Sequence, residues 1–350
     1  MLYRYPINDV HIHLFDPKDI DECISMVDWC GYTNWAFMAC TVIRHPYALV
    51  QNLLCALVKL KENGRCQAFA SFHYNGNEVP DADELLRQIK WFDKAGFDGI
   101  KMLDGKPGVR LRQGLPLDAP NYDKMFDYAQ RTQFPILYHI NDPVEFWYQD
   151  KLPQWAVEQG LFYDKKFPHK FEIDEETFGI LRKHPNLNLC IPHFFFISDQ
   201  PGLCCEMLDR YPNLFFDITP GWEMFENFAK DREYWRSFFS KYSHKILFGT
   251  DTFSDHWKET VTCLQRVLET DEKFVAFEEN CIGLDLDEET LHDLYFNNYH
   301  KFIRNLNKKI DVDMVLEYAD TLYDRIPQDE NYQMVHDAID FLKAEIAKYR

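Results

Sequence analysis

His11 and His13 stand two residues apart in the run Asp9-Val10-His11-Ile12-His13-Leu14-Phe15-Asp16. In an extended strand alternate side chains point to opposite faces, so both imidazoles share one face and Ile12 takes the other. Two imidazoles converging on one point are what two ligands of a single metal ion require. The same pair also occurs as ordinary hydrogen-bonded polar groups at a strand end, so the weight falls on where the other polar strand ends lie.

Those ends repeat one pattern, an apolar run that carries or closes on an isolated polar side chain. Lys101 sits in Gly99–Leu103, His139 in Pro135–Ile140, His193 at the end of Leu187–His193 and Asp251 at the end of Lys245–Asp251. A buried ionisable group is costly unless paired or bound to a metal, so several of them at one place are hard to explain as core filling. Imidazoles with a carboxylate suit zinc or a similar divalent ion that keeps a position for water. Such an ion lowers the pKa of its bound water to about 7. Asp251 is then suited to take that water's proton and pass it to a leaving group, and His193 to polarise a substrate carbonyl or hold the attacking water.

The elements that must position these residues follow from the hydrophobic pattern. Short β-branched and aromatic runs (7–13, 35–43, 66–72, 99–103, 135–140, 187–193, 214–218 and 245–251) alternate with amphipathic helical stretches. One of these carries Ile20, Cys23, Ile24 and Val27 at helical spacing before Gly31, and another spans 83–95 before Gly96. Eight strand–helix units predict a parallel sheet closed into a (β/α)8 TIM barrel. Barrel enzymes work at the C-terminal ends of their strands, which is where the polar residues fall. Residues 1–305 form the barrel domain, with a lid-like insertion at 141–185, and residues 306–350 form a C-terminal helical extension on its outside or in a subunit contact.

Composition narrows the function classes. The 350 residues are 46% hydrophobic and 16% aromatic, enough for a large core, and the net charge of −19 argues against a nucleic-acid or anionic-membrane partner. The ten cysteines are scattered with no Cys-x-x-Cys pair. With no signal peptide and no long apolar run, reduced thiols in a cytoplasmic protein are the expectation.

The ordered motifs "DVHIHLFDP", "GFDGIKML", "ILYHINDP", "PHF", "YPNLFFDIT" and "ILFGTDTF" resemble the metal-dependent amidohydrolase superfamily, and within it the second amidohydrolase family. "KFPHKFEIDEETFGILRKHPNL" and "LYFNNYHKFI" are similar too, so the resemblance covers most of residues 7 to 305. It implies a barrel hydrolase or decarboxylase, usually with one zinc-like ion, although some members act without a bound metal. By resemblance His11, His13, His139 and Asp251 match the ligand positions, and His193 matches the catalytic or second-metal histidine. A strand-4 lysine is carbamylated in binuclear relatives, whereas the "GIK" lysine of this family is more often an unmodified cation near the site, the reading favoured for Lys101. Its bland alternative is an ion pair with Asp104.

Arg44, His73, Trp147, Tyr148 and Trp222 lie on loops and strand ends above the barrel and are expected to bind substrate. The sequence therefore predicts a metal-dependent hydrolase with one Zn2+ (Mn2+ being the other ion considered), cleaving an ester, lactone or amide of a small organic acid. A non-oxidative decarboxylase of an aromatic or muconate-type acid would use the same ligands, and a non-catalytic ligand-binding barrel is the third reading. The expected partner is a small-molecule substrate, and a homodimer through the outer helices or tail is compatible with the pattern.

Overall fold

Eight parallel strands follow one another around a single sheet, each beside its neighbour in sequence. They are β1 (Ile7–Ile12), β2 (Tyr32–Met38), β3 (Cys66–Ala70), β4 (Gly99–Gly105), β5 (Ile136–Ile140), β6 (Leu189–Ile191), β7 (Leu214–Asp217) and β8 (Ile246–Leu247). The structure is a computed structural model that describes residues 6–152, 154–158, 160–252, 256–277 and 279–350. Beyond β8 the chain runs along β1 and closes the ring. Val10 N–H donates to the Phe248 carbonyl at 2.9 Å, Asp251 N–H to the His11 carbonyl at 2.7 Å and His13 N–H to the Thr252 carbonyl at 2.9 Å. The expected TIM barrel is the observed fold.

Local chemistry explains the element boundaries. Helix Ile20–Cys30 ends on Gly31, whose φ of 68° lets its N–H reach the Val27 and Asp28 carbonyls. That sharp stop starts β2 at Tyr32, earlier than the apolar run at Trp35 implies. Asp81 accepts from the N–H groups of Asp83 and Glu84 and so caps helix Ala82–Ala95. β6 is shorter than its apolar run because Pro192 is followed by a left-handed turn, with positive φ from His193 to Phe196.

The barrel interior is divided by depth. Val10, Ala36, Met38, Phe69, Leu137, Cys190, Phe215 and Leu247 pack inside it with Tyr299, Phe302 and Ile303 of helix Asn298–Ile303. That helix plugs the N-terminal mouth, where the Asn298 amide donates to the Ser243 and Ile246 carbonyls at 2.6 and 2.7 Å. Burying a phenylalanine such as Phe302 stabilises the fold by roughly 1.5–3 kcal/mol. With the lower end filled by apolar groups, the polar strand ends are left at the C-terminal end.

The long connection after β5 is only partly an insertion. Its latter part, Lys170–Lys183, is an outer-layer helix whose Ile173, Ile180 and Leu181 join the main core. The stretch before it carries a short turn at Val144–Trp147 and a helix at Gln154–Glu158. A hairpin, β9 (Lys273–Ala276) with β10 (Glu279–Ile282), was not anticipated; it packs on helix Trp222–Lys230. The tail forms helices Val312–Leu322 and Tyr332–Ala347, which bury Val315, Leu322, Ile339, Leu342 and Ile346 in the same core as the barrel's outer helices. Among the described residues no helix is long and apolar enough to cross a membrane.

Candidate active site

β1 delivers its histidines through an irregularity. From Asp9 to Ile12 it takes three steps while β2 takes two, from Trp35 to Phe37. This is a β-bulge, which re-aims side chains. The Asp9 carboxylate secures it, accepting the His11 N–H at 2.9 Å and the Thr250 hydroxyl at 2.7 Å. On the other side Gly249 lets the end of β8 pass close. A Cβ there would stand 3.0 Å from the Thr219 methyl and 3.1 Å from His11 Cβ. Asp251 follows in the left-handed region, at φ 52°.

His11 Nε2, His13 Nε2 and Asp251 Oδ1 converge. The two nitrogens are 3.1 Å apart, and Asp251 Oδ1 lies 3.4 Å from His11 Nε2 and 3.1 Å from His13 Nε2. Each ring is held from behind. His11 Nδ1 donates to Asp217 Oδ2 at 3.1 Å and His13 Nδ1 to the Met38 carbonyl at 2.9 Å. Those bonds place the protons on Nδ1 and aim both Nε2 lone pairs at the same point as the carboxylate, the arrangement that outer hydrogen bonds impose on metal-ligating histidines. Three acceptors in contact call for a cation between them.

The electrostatics favour the same positive charge there, supplied by a proton on His13. For His13, burial opposes the charged form, but Cys40 and Asp251 favour it more, and its pKa is pushed up to about 9. Burial also works against the Asp251 charge, yet His11 and His13 more than offset it and hold the carboxyl well below the usual range. His11 is held well below the ordinary imidazole value by burial and by Lys101. Nitrogen and carboxylate donors of this number and grouping fit a divalent ion of the zinc or manganese kind.

Lys101 is part of this centre. Its Nζ lies 2.8 Å from His11 Nε2, fully inside the barrel, and burial lowers its pKa. The alternative pairing with Asp104 is not made. Asp104 accepts from Tyr74, Tyr122 and Gln113 instead. His193 stands on the far side of Asp251, its Nε2 3.7 Å from Oδ2. Its Nδ1 faces the Pro220 carbonyl at 3.3 Å, which leaves Nε2 as a buried acceptor with no hydrogen-bond partner among the described residues. Burial and His139 lower its pKa to about 4. This tautomer can hold a water or take a proton, but it has no N–H to polarise a carbonyl, which narrows the two roles expected of it.

His139 lies beside the convergent set and not in it. Its ring centroid is 4.9 Å from that of His193, and its Nε2 is turned to the Asn141 carbonyl at 2.9 Å. Burial and Lys106 lower its pKa to about 4. Above these groups opens a cavity of about 400 Å³ whose wall includes His139, His193, Asp251, Phe146, Tyr163 and Glu223.

The expected substrate-binding residues fare less well. Trp147 and Tyr148 do not line this cavity; Trp147 donates to the Pro168 carbonyl at 3.2 Å, and Tyr148 is 40% exposed. Their neighbour Phe146 and the more distant Tyr163 take that place. Arg44 is not among the lining residues, and its charge is felt by Arg112. His73 faces away from the site, bonded to the Tyr318 hydroxyl of the C-terminal helices and to Asn52. Trp222 opens helix Trp222–Lys230, but its side chain lies outside the described residues.

Asp217 is the functional residue that the sequence reading passed over. It is fully buried at the end of β7. One oxygen accepts from His11, and the other from the N–H groups of His193 and Thr219 and the Thr219 hydroxyl, at 2.9, 3.0 and 2.6 Å. One carboxylate thus sets the orientation of two site histidines.

A family model described as amidohydrolase matches residues 49–302. Solved structures that share the fold include the following three. An uncharacterised TIM-barrel protein from Bordetella bronchiseptica is 12% identical with a TM-score of 0.57, the match covering 87% of this chain and 100% of that one. A 2,6-dihydroxybenzoate decarboxylase from Rhizobium is 12% identical with a TM-score of 0.53, over 86% and 99% of the two chains. A dihydroxybenzoic acid decarboxylase from a Polaromonas species, with bound manganese and the inhibitor 2-nitroresorcinol, is 13% identical with a TM-score of 0.54, over 86% and 97%. Among curated proteins none matches.

Proposed function

The chain belongs to the amidohydrolase family, and from that premise we propose that it is a metal-dependent hydrolase cleaving an ester, lactone or amide bond of a small organic acid. The observation that carries this reading is the convergence of His11 Nε2, His13 Nε2 and Asp251 Oδ1 with both histidine tautomers fixed from behind. These three would hold the ion, proposed as one Zn2+, and His139 would add a ligand through Nδ1, the nitrogen its bond to Asn141 leaves available. When bound, such an ion supplies a water that ionises near pH 7.

The chain's own residues do the rest. Asp251 turns one oxygen to the histidine pair and the other toward His193, so a proton taken on Asp251 has a second resting place at His193 Nε2. His193 in its acceptor tautomer holds the attacking water, and Asp251 returns the proton to the leaving group. Lys101, beside His11, offers positive charge to the substrate's developing oxyanion. Burial of His11, His13, Lys101 and His193 strengthens these interactions.

Decarboxylation is the second reading, supported by the two neighbours that act on dihydroxybenzoates and by the manganese that one of them holds. The same ligands would serve, with an active-site acid protonating the carbon that loses CO2. The first measurement is elemental analysis of chelator-free protein. About one zinc or manganese per chain supports the single-ion site, and about two supports Lys101 as a carbamylated bridge. No metal, with none taken up on reconstitution, would overturn the metal-dependent reading. Loaded protein is then assayed for ester, lactone and amide hydrolysis and for CO2 release from aromatic acids. Release of CO2 alone would move the assignment to the decarboxylase.

A further inference from the structure

Glu223 presents a chemistry that the hydrolytic centre does not use. It lies in the first turn of helix Trp222–Lys230 and lines the same cavity, whose wall does not include His11 or His13. Both carboxylate oxygens are shut off from solvent, and among the described residues neither has a hydrogen-bond partner outside Glu223 itself. A buried carboxyl group without a partner costs several kcal/mol if ionised. Burial pushes its pKa up to about 8, with Glu145 and Asp199 adding to the rise while its own backbone N–H and Lys170 act against it. Folds rarely leave such a group orphaned unless something else completes it.

The surroundings say what would complete it. Glu145, Glu226 and Glu279 line the cavity with it. Of the two lysines that also line it, Lys106 is paired with Asp142 at 3.1 Å and Lys151 lies 5.0 Å from the centre of the Tyr148 ring. An anion would therefore meet acidic groups and lysines already engaged, whereas a cation would meet, in Glu223, a carboxyl group that it can ionise and pair with. The Glu223 carboxylate is folded back beside Phe196; a Cβ on Gly221 would stand 3.0 Å from each of its oxygens and 2.9 Å from the Phe196 ring. As a residue of the cavity wall, Glu223 borders the space that a ligand would fill. Phe196 in turn stacks on His193, with ring centroids 4.9 Å apart. Phe196 thus adjoins both the proton-handling histidine and the Gly221–Glu223 turn.

We propose that Glu223 is a specificity residue that binds a protonated amino or guanidino group, so that the substrate is an amine-bearing ester, lactone or amide whose reacting carbonyl lies at the histidine pair. This deepens the hydrolase reading and rests on it. Pairing with the cationic group satisfies the orphaned carboxylate, and a substrate with a neutral or acidic group at that position leaves it buried and unpaired.

The test uses binding, so it does not wait for the substrate. Two matched probe series, ω-amino acids and the corresponding unbranched alkanoic acids with two to six methylenes, are titrated by calorimetry into metal-free and zinc-loaded protein. A series of n-alkylamines is titrated beside the corresponding alcohols. The expected result is a preference of at least about tenfold for the amine-bearing probe at one or more chain lengths, with and without zinc. Glu223→Gln removes that preference and leaves the affinity for the uncharged probe within about twofold. A wild-type protein with no preference for ammonium probes at any length overturns the proposal, as does a preference that survives Glu223→Gln. If the amine preference is present and depends on Glu223 while zinc leaves the alkanoate affinity unchanged, the cation site stands and the metal reading falls instead.

Discussion

Replacing Asp217 by Asn tests whether the histidine pair is set for a metal by hydrogen bonds from behind. Asp217 Oδ1 accepts from three donors, the His193 and Thr219 N–H groups and the Thr219 hydroxyl, and Oδ2 accepts from His11 Nδ1. An asparagine has one oxygen and one NH2 group. Its oxygen is drawn to the side with three donors, which turns the NH2 toward His11 Nδ1. Two donors then face each other, and the ring resolves the conflict by moving its proton to Nε2. The lone pair now points at the amide and the N–H at the metal position. Disrupting partners of this kind costs 10–100-fold in metal affinity, or about 1.4–2.7 kcal/mol. The assay is competition for Zn2+ against a chromophoric chelator, paired with nitrogen-15 NMR of the His11 ring. The expected outcome is weaker zinc binding together with a tautomer change at His11. Zinc affinity within twofold of wild type would refute the argument, because it would mean that His11 does not bind through the nitrogen the structure points at the site.

Three further outcomes follow from the same geometry. Asp251→Asn should abolish turnover on any substrate identified and lower zinc retention, read by steady-state assay and elemental analysis; unchanged turnover would remove Asp251 as the proton carrier. Gly249→Ala should lower stability by about 1–3 kcal/mol, since the added methyl meets Thr219 and His11 at 3.0 and 3.1 Å; a thermal melt identical to wild type would show that the strand yields. His73 has its pKa lowered by burial and by Arg325 from 6.5 to about 3, so below pH 6.5 the unfolded chain binds a proton that the folded chain refuses. The stability it supports is therefore present above pH 6.5 and lost as pH falls toward 3, by about 2 kcal/mol at pH 5. His73→Gln should flatten the decline in urea-unfolding free energy between pH 7 and pH 5, and parallel declines would count against this account.

Legibility followed how local the cause was. The barrel was readable because its strands are covered on both faces and its polar residues stand out at strand ends, as His11, His13, Lys101, His193 and Asp251 do. Asp217 carries the same signal in Leu214–Ile218, but Ile218 after it masked the strand end. Lys101 could be placed in the strand but not paired, since pairing with His11 or Asp104 depends on which face it takes. Contacts between distant segments were out of reach. Strand β3 ends at Ala70, and three residues later His73 has turned to Tyr318 of the tail. In the connection after β5, the choice of Phe146 over Trp147 for the cavity depends on one short turn at Val144–Trp147 and has no periodicity to reveal it. Lys170–Lys183, by contrast, had a readable helix signal, with His169 capped reciprocally by Glu172, and should have shortened the expected lid.

The left-handed turn at His193–Phe196 shows how the fold supports a strained site. Four consecutive non-glycine residues have φ between 50° and 57°. Each costs roughly 1–2 kcal/mol relative to the right-handed region. The turn sends Phe194 into a cluster with Phe216, Phe228, Trp235, Phe238 and Phe239, at centroid distances of 5.3 to 5.9 Å. It sets Phe195 edge-on to Phe178 and lays Phe196 over His193. Each fully buried phenylalanine stabilises by roughly 1.5–3 kcal/mol, and well-placed aromatic pairs add about 0.5–1.5 kcal/mol. Packing of the three rings is thus of the size needed to hold the turn. An ordinary right-handed continuation would carry the rings elsewhere and take His193 with them. The aromatic cluster beneath the site therefore acts at a distance, fixing the backbone that aims His193 Nε2 at Asp251.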